Sequence, residues 1–167
     1  MADIFTKRKR SAVMSAIRSR GNAATELRLI AVFRAHGITG WRRGASLQWK
    51  VEGLKLKKFR VKPDFVFGAR RLAVFVDGCF WHGCPLHATS PKTHAAFWRK
   101  KIAANRTRDR LVTRTLRRLG WRVLRIWEHE LRRKNETQLL RRLHRALGLT
   151  TAAPNLPATA AASVIGH

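Results

Sequence analysis

The sequence predicts a mixed α/β domain in which a sheet is flanked by helices. Apolar residues recur with helical spacing near both ends and in a long central segment, and two short, strongly apolar runs at 63–67 and 72–77 lie between them. The resulting order of helix, strand pair, helix, strand and helix is that of a sheet covered by helices. We assign residues 1–148 to one domain and residues 149–167, which are rich in Ala, Thr and Pro, to a disordered tail.

The first elements are a basic arm and a helix. Residues 1–20 carry many Lys and Arg with a helical apolar pattern, and a firmer helix is predicted from about Asn22 to His36. Asn22 or Thr25 can cap this helix, and Gly37 stands where it should stop. One or two strands are expected between residues 46 and 60. The expected apolar face of the helix consists of Leu27, Leu29, Ile30 and Phe33.

The two apolar runs form the clearest strand pair. Residues 63–67 and 72–77 are joined by the four residues 68–71, a length typical of a hairpin. The second run is apolar from residue 72 to residue 76 without a break, which predicts a strand that is covered on both faces.

The second half of the domain alternates helix and strand. A long helix is predicted from about Thr93 to Leu119, with Gly120 as its stop, followed by a strand at 121–127 and a last helix from about Glu136 to Leu147.

The charge of the chain indicates a polyanionic partner. The 167 residues carry a net charge of +27, and binding to phosphates would release condensed counterions, so nucleic acid is the expected partner. No apolar run approaches the roughly 20 residues that span a bilayer, and no amphipathic segment suits a membrane surface. The N-terminus lacks an apolar signal segment and both cysteines lie in one loop, so we expect a cytoplasmic, nucleoid-associated location.

Acidic residues are few, so their positions are informative. Nine Asp and Glu face 36 Lys and Arg, and Asp64 and Asp77 stand at the margins of the two apolar strands. In a hairpin they would lie at the same open end of the sheet, where they could share a divalent cation such as Mg²⁺. The alternative is that each acid pairs with an arginine. We favour that alternative for Glu52, Asp109, Glu130 and Glu136, and the metal for Asp64 with Asp77.

Residues 78–87, which we call the Cys/His loop, concentrate metal-binding side chains. Cys79, Cys84 and His87 have the spacing Cys-x4-Cys-x2-His, and thiolate and imidazole are the ligands that zinc prefers. His129 is the best fourth ligand because it follows the strand at 121–127, and strand ends at one edge of a sheet can converge. The alternative is two reduced, buried cysteines with unrelated histidines. We predict a structural Zn²⁺.

The same loop carries two neighbouring aromatic residues. Phe80 and Trp81 stand between two expected zinc ligands, and a metal-tied loop usually lies at the surface. Aromatic side chains on a cationic surface can wedge between base pairs.

Longer motifs carry a family resemblance. Pro63-Asp64 followed by Asp77 resembles the PD-(D/E)xK nuclease core. The segments 75–85, Phe97-Trp98, 120–123 and 126–128 resemble the very-short-patch-repair DNA mismatch endonucleases. The likeness covers roughly residues 1–148. It implies a restriction-endonuclease-like fold and an enzyme that nicks one strand of duplex DNA beside the T of a T·G mismatch, which arises when 5-methylcytosine is deaminated.

The resemblance also implies roles for residues. Asp64 would bind the catalytic Mg²⁺ with Asp77 as its second anchor, and His82 would be the general acid/base. Glu26 would hold a metal-bound water, and His129 would be a zinc ligand. Trp98 would contact DNA beside Phe80 and Trp81, and Met14 would contact it from the opposite groove. Cys79 stands where the nuclease core usually has a lysine.

Two other functions fit the same features. One is a restriction-type endonuclease that cuts both strands at a matched site, and the other is a non-catalytic, zinc-bearing DNA-binding module. For the favoured function we expect a monomer acting on mismatched duplex DNA, with other mismatch-repair proteins as further candidate partners.

Overall fold

The computed structural model describes residues 23–50, 58–89 and 91–149. The predicted basic arm with Met14 and nearly all of the predicted tail lie outside the described residues. None of the described helices combines the length and the hydropathy that a membrane-spanning helix requires. In chain order the elements are a π-helical turn Ala23–Leu27, α1 Arg28–Ala35, β1 Arg42–Arg43, β2 Leu47–Lys50, β3 Lys58–Val61, β4 Phe65–Phe67, β5 Leu72–Asp77, α2 Ala95–Arg118, β6 Arg122–Trp127, two 3₁₀ turns at Glu128–Leu131 and Arg133–Asn135, and α3 Glu136–Leu147.

The main sheet is mixed, as the sequence predicts. Its strand order is β1-β4-β5-β6, and β4 and β5 form the predicted antiparallel hairpin. β5 and β6 are parallel. A parallel pair needs a long crossover connection, and the 24-residue helix α2 supplies it. β2 and β3 form a separate antiparallel pair in the region where one or two strands were expected.

β5 is one of the two inner strands and is covered on both faces. Leu72 and Val74 pack into a cluster with side chains of α1 and α3. Ala73, which points to the opposite face, packs with Val112 and Leu116 of α2. The uninterrupted apolar run is therefore explained by helices on both sides of the sheet.

The ends of the helices agree with the predictions except at the N-terminus of α1. Gly37 and Gly120 adopt φ angles of +62° and +76°, which suit the predicted helix stops. Leu27, expected on the apolar face, is 43% exposed. It lies in the π-helical turn, where the wider spacing shifts residues out of phase with the α-helical stripe that follows. Thr25 lies inside that turn, and the position that precedes α1 is Leu27, which has no side-chain cap hydrogen bond.

Candidate functional site

Carboxylates collect at one end of the main sheet. Asp64 immediately precedes β4 and Asp77 ends β5, and the antiparallel register, continued by one residue, places Asp64 opposite Phe75 and next to Val76. The backbone N–H of Val76 donates a hydrogen bond to Asp64 Oδ2 at 2.7 Å. Burial, with smaller contributions from the charges of Glu26 and Asp77, raises the pKa of Asp64 to about 6. A buried carboxylate whose charged form is disfavoured in this way would be stabilised by a bound cation.

Glu26 reaches the same region from the turn before α1. Its side chain is buried, with 6% exposure, and Arg43 of β1 donates a hydrogen bond from Nε to Glu26 Oε2 at 2.7 Å. The structure thus places the predicted water-holding residue where its charge acts on Asp64. It also adds an arginine partner that the sequence did not suggest.

Asp77 is paired with an arginine. Its two carboxylate oxygens accept hydrogen bonds from Nε and Nη2 of Arg125, both at 2.6 Å, and the residue is 4% exposed. This two-pronged pairing is the strongest geometry open to an arginine and a carboxylate. Arg125 lies in the middle of β6, and sequence reasoning gave it no role.

His82 is held by a second acid, Asp109 of α2. The Nδ1 atom of His82 donates to Asp109 Oδ2 at 2.5 Å and lies 3.6 Å from Asp77 Oδ1. A carboxylate only accepts, so Nδ1 carries the proton and Nε2 is the ring nitrogen presented for proton exchange. Burial acts to raise the pKa of Asp109. The hydrogen bond from His82 and the charge of Arg125 outweigh burial, so the net pKa lies below its ordinary value.

The alternative of arginine pairing describes Asp109 only in part. Asp109 Oδ1 lies 3.1 Å from Arg125 Nη2, but the closer partner of the residue is His82. The sequence contained a signal for this role. Asp109 lies on the stripe of α2 that faces the sheet, where a charged residue needs a partner; the other positions of that stripe are Trp98, Ile102, Asn105, Val112 and Leu116. Glu130 and Glu136 do pair with arginines, with Arg142 and Arg28 respectively.

The four predicted zinc ligands lie together. One ligand atom from each of Cys79, Cys84, His87 and His129 falls within 4.8 Å of the others. His129 Nδ1 is 3.3 Å from Cys79 Sγ and 3.6 Å from Cys84 Sγ, and His87 Nδ1 is 3.9 Å from Cys84 Sγ. Tetrahedral zinc with its usual bond lengths separates sulfur and nitrogen ligands by about 3.6 Å. The donor set and its spacing therefore fit one zinc ion.

The parallel register of β5 and β6 explains why these ligands meet. Asp77 pairs with Trp127 at the end of the two strands, and Cys79 and His129 each follow two residues later. Glu128 ties the two ends together, since its Oε2 accepts a hydrogen bond from the backbone N–H of Cys79 at 3.2 Å. Burial, followed by the charge of His87, lowers the pKa of His129 and favours the neutral imidazole that binds metals.

The aromatic residues form one cluster beside this loop. Ring centroids of Phe80, Trp81 and Trp98 are 5.1 to 5.7 Å apart in edge-to-face arrangements. All three side chains are partly exposed, and the neighbouring Phe97 is 61% exposed. The three predicted wedge residues thus share one partly accessible surface.

α2 fixes the loop that carries the cluster. Asn105 Nδ2 donates to the backbone carbonyl of Trp81 at 2.9 Å. Gly83 has φ of +62°, and a side chain there would come within 2.7 Å of Ile102. Only glycine allows this close approach between loop and helix.

The exposed side of α2 is strongly basic. Five neighbouring residues, four of them arginines, line a groove of about 520 Å³ along the second half of the helix, and further cations stand nearer its start. Such a surface suits a phosphate backbone. The exposed cations of α2 are Arg99, Lys100, Lys101, Arg106, Arg108, Arg110, Arg114, Arg117 and Arg118.

The chain is similar to known DNA mismatch endonucleases and nicking enzymes. The family model described as "DNA mismatch endonuclease Vsr" matches residues 2–87. The DNA mismatch endonuclease Vsr of Escherichia coli K12 is 39% identical over 134 residues, which cover 79% of this chain and 77% of that protein.

Two nicking enzymes are also similar. The type II nicking enzyme V.NmeAIP of Neisseria meningitidis serogroup A is 34% identical over 135 residues, or 80% of this chain and 87% of that protein. The type II nicking enzyme V.NaeI of Lentzea aerocolonigenes is 56% identical over 71 residues, which cover 42% of this chain and only 43% of that protein's length.

Proposed function

Because this chain belongs to the DNA mismatch endonuclease Vsr family, we propose that it is a metal-dependent endonuclease that nicks one strand of duplex DNA. The proposed cut lies beside the T of a T·G mismatch, so that repair can restore the pair lost when 5-methylcytosine is deaminated. In this role the enzyme acts as a monomer at the nucleoid, alongside other mismatch-repair proteins.

One observation supports cleavage with mismatch reading more than any other. The Cys/His loop carries both the imidazole held by Asp109 and two of the clustered aromatic rings, and it begins one residue after the carboxylate end of β5. The proposed proton-transfer group and part of the proposed base-wedging surface therefore stand on one short segment. A module that only bound DNA would have no need of the first.

The geometry supports the proposed catalytic roles. Asp64 would bind Mg²⁺, with Asp77 and Glu26 adding negative charge nearby. When bound, this ion would polarise a phosphoryl oxygen and lower the pKa of a coordinated water. His82 would exchange a proton at Nε2, while Asp109 holds Nδ1 and keeps the ring oriented.

The zinc site is proposed as structural. Four protein ligands at Cys79, Cys84, His87 and His129 would fill the tetrahedral coordination of Zn²⁺ and leave no open position for substrate. Such a cross-link would stiffen the loop and join it to the end of β6.

The proposed DNA contacts divide into two kinds. Phe80, Trp81 and Trp98 would wedge into the base stack, where a mismatch lowers the energy needed to separate neighbouring pairs. The cations of α2 would contact phosphates and position the duplex without reading its sequence. Met14 would approach from the opposite groove, and it lies outside the described residues.

The test is a strand-resolved nicking assay. Duplexes identical except for one T·G or T·A pair, labelled on either strand, are incubated with Mg²⁺ or with EDTA. We expect a nick in the T strand of the T·G duplex with Mg²⁺ only. Asp64→Asn should abolish the nick, whereas Glu136→Gln, a matched change at an acid paired with Arg28 and His36, should not.

The other possible results would favour one of the alternative functions or refute the need for a metal. Cleavage of both strands of matched DNA would favour a restriction-type enzyme, and binding without any cleavage would favour a DNA-binding module. Undiminished nicking in EDTA would refute the metal-dependent mechanism.

A further inference from the structure

We propose that Arg125 is a positioning residue whose guanidinium arranges Asp77 and Asp109 so that His82 is held by Asp109 alone. The inference rests on the proposed nicking function and assigns a role to a residue that bears no metal and needs no contact with DNA. The side chains of Arg125, Asp77, Asp109 and His82 form one connected set of contacts.

The position of Arg125 makes it a fixed part of the site. It stands on β6 opposite Phe75 of β5, and its guanidinium carbon lies 4.9 Å from the centre of the Phe75 ring. Its backbone carbonyl accepts a hydrogen bond from Arg142 at 2.7 Å, and its side chain is only 22% exposed. The guanidinium is thus held between the sheet and α2, which carries Asp109.

The contacts of Arg125 join both acids that face His82. Its Nε and Nη2 atoms donate to the two oxygens of Asp77 at 2.6 Å, and Nη2 also lies 3.1 Å from Asp109 Oδ1. The remaining oxygen of Asp109 accepts the proton of His82 Nδ1 at 2.5 Å. Asp109 therefore holds the imidazole directly, and Arg125 and Asp77 act on it through the contact of Arg125 with Asp109.

This arrangement settles a competition between two acceptors. Asp77 Oδ1 and Asp109 Oδ2 both approach the same nitrogen of His82, at 3.6 and 2.5 Å. Because both oxygens of Asp77 are bound by Arg125, Asp77 stays at the longer distance and Asp109 receives the hydrogen bond. Without the guanidinium, two carboxylates would repel each other next to one imidazole, and the ring could turn to either.

The same contacts give Asp77 a different role from the predicted second metal anchor. Its negative charge is matched by the guanidinium, whereas Asp64 forms no ion pair with an arginine among the described contacts and accepts a hydrogen bond from the Val76 N–H. The planar guanidinium is essential to this arrangement, because its donors are held in a fixed fork that matches the two oxygens of a carboxylate. The ammonium group of a lysine is a single point charge on a flexible chain and has no such fork.

The kinetic test uses three variants in single-turnover nicking. Arg125→Ala should lower the cleavage rate about 100-fold, the order expected when a proton-transfer group is misplaced by about 1 Å, with DNA affinity changed less than about threefold. Arg125→Lys should recover little of the rate. Arg122→Ala is the matched control, since Arg122 lies on the same strand but is exposed, and among the described contacts its side chain hydrogen-bonds only to the carbonyl of Arg70.

Chemical rescue separates positioning from general stability. Guanidinium chloride, at concentrations far below those that unfold proteins, should restore part of the Arg125→Ala rate in a saturable way, and sodium chloride of equal ionic strength should not. An increase in the dissociation constant for DNA with an unchanged rate would overturn the inference, because Arg125 would then be a phosphate contact.

A spectroscopic test is independent of catalysis. Ring ¹⁵N chemical shifts of neutral His82 should show the proton on Nδ1 in the native protein and a mixture of the two neutral forms in Arg125→Ala. If the native protein nicks no duplex, the proposed function fails while this measurement still decides the positioning claim. A variant that folds, keeps the Nδ1 proton and cuts within about threefold of the native rate would refute the inference.

Discussion

Removing the charge of Asp64 should stabilise the metal-free protein while abolishing cleavage. The pKa of this carboxyl is raised from 3.8 to about 6, mainly by burial, so the folded protein binds the proton more tightly than the unfolded chain does. The contribution of the Asp64 carboxyl to the free energy of unfolding is therefore fully present at low pH and is lost as the pH rises from about 4 to about 6. A shift of about two pKa units corresponds to about 3 kcal/mol at 1.36 kcal/mol per unit.

Solvent screening reduces this value, because Asp64 is partly exposed to solvent. We expect Asp64→Asn to raise the free energy of unfolding by about 1–3 kcal/mol at about pH 7.5 in EDTA. The asparagine oxygen can still accept the hydrogen bond of the Val76 N–H, so the change removes the charge and keeps the contact.

The assay is urea unfolding followed by tryptophan fluorescence at a series of pH values. The advantage of Asp64→Asn should grow between about pH 4 and about pH 6 and then stay constant. Added Mg²⁺ should stabilise the native protein at neutral pH and leave the variant unchanged. An advantage that does not depend on pH, or a variant that is less stable at neutral pH, would refute the account of Asp64 as a carboxylate kept for a cation.

Four further changes test the rest of the site. Asp109→Asn should show the opposite pH trend, because the pKa of Asp109 is lowered: the stability that the native carboxylate adds is present near neutral pH and lost on acidification, which the same urea series measures. His82→Ala should slow single-turnover nicking by roughly 10²–10⁴, and a loss under tenfold would leave it only a structural role. Cys84→Ser should lower both the zinc content by elemental analysis and the melting temperature, and native protein purified without chelators but lacking zinc would contradict the site. Trp81→Ala should remove stacking worth roughly 1–3 kcal/mol and reduce the ratio of nicking rates on T·G and T·A duplexes at one salt concentration, so an unchanged ratio would assign discrimination to other residues.

Strong local patterns predicted most of the architecture. The last helix has the predicted bounds, Glu136–Leu147, and the hairpin of β4 and β5 lies where two apolar runs flank a short loop. β1 has only two residues, Arg42–Arg43, and no apolar pattern, so nothing local predicted it. Its pairing with β4 is a tertiary contact.

The sequence also brought together the ligands that are close along the chain. Cys79, Cys84 and His87 lie within nine residues, and their chemistry alone indicates a metal. His129 is distant in sequence, and its approach depends on the parallel pairing of β5 with β6. The structure supplies that pairing.

The sequence by itself determined the composition of the site: a basic surface, acids at strand ends, and aromatic, thiol and imidazole groups in one loop. Only the tertiary structure decided which charge meets which. Asp77 and Arg125 are 48 residues apart, and His82 and Asp109 are 27 apart. Periodicity reports which face of an element is buried, because burial follows the local repeat of the chain. It does not report the partner of a buried charge, because that depends on how separate elements pack.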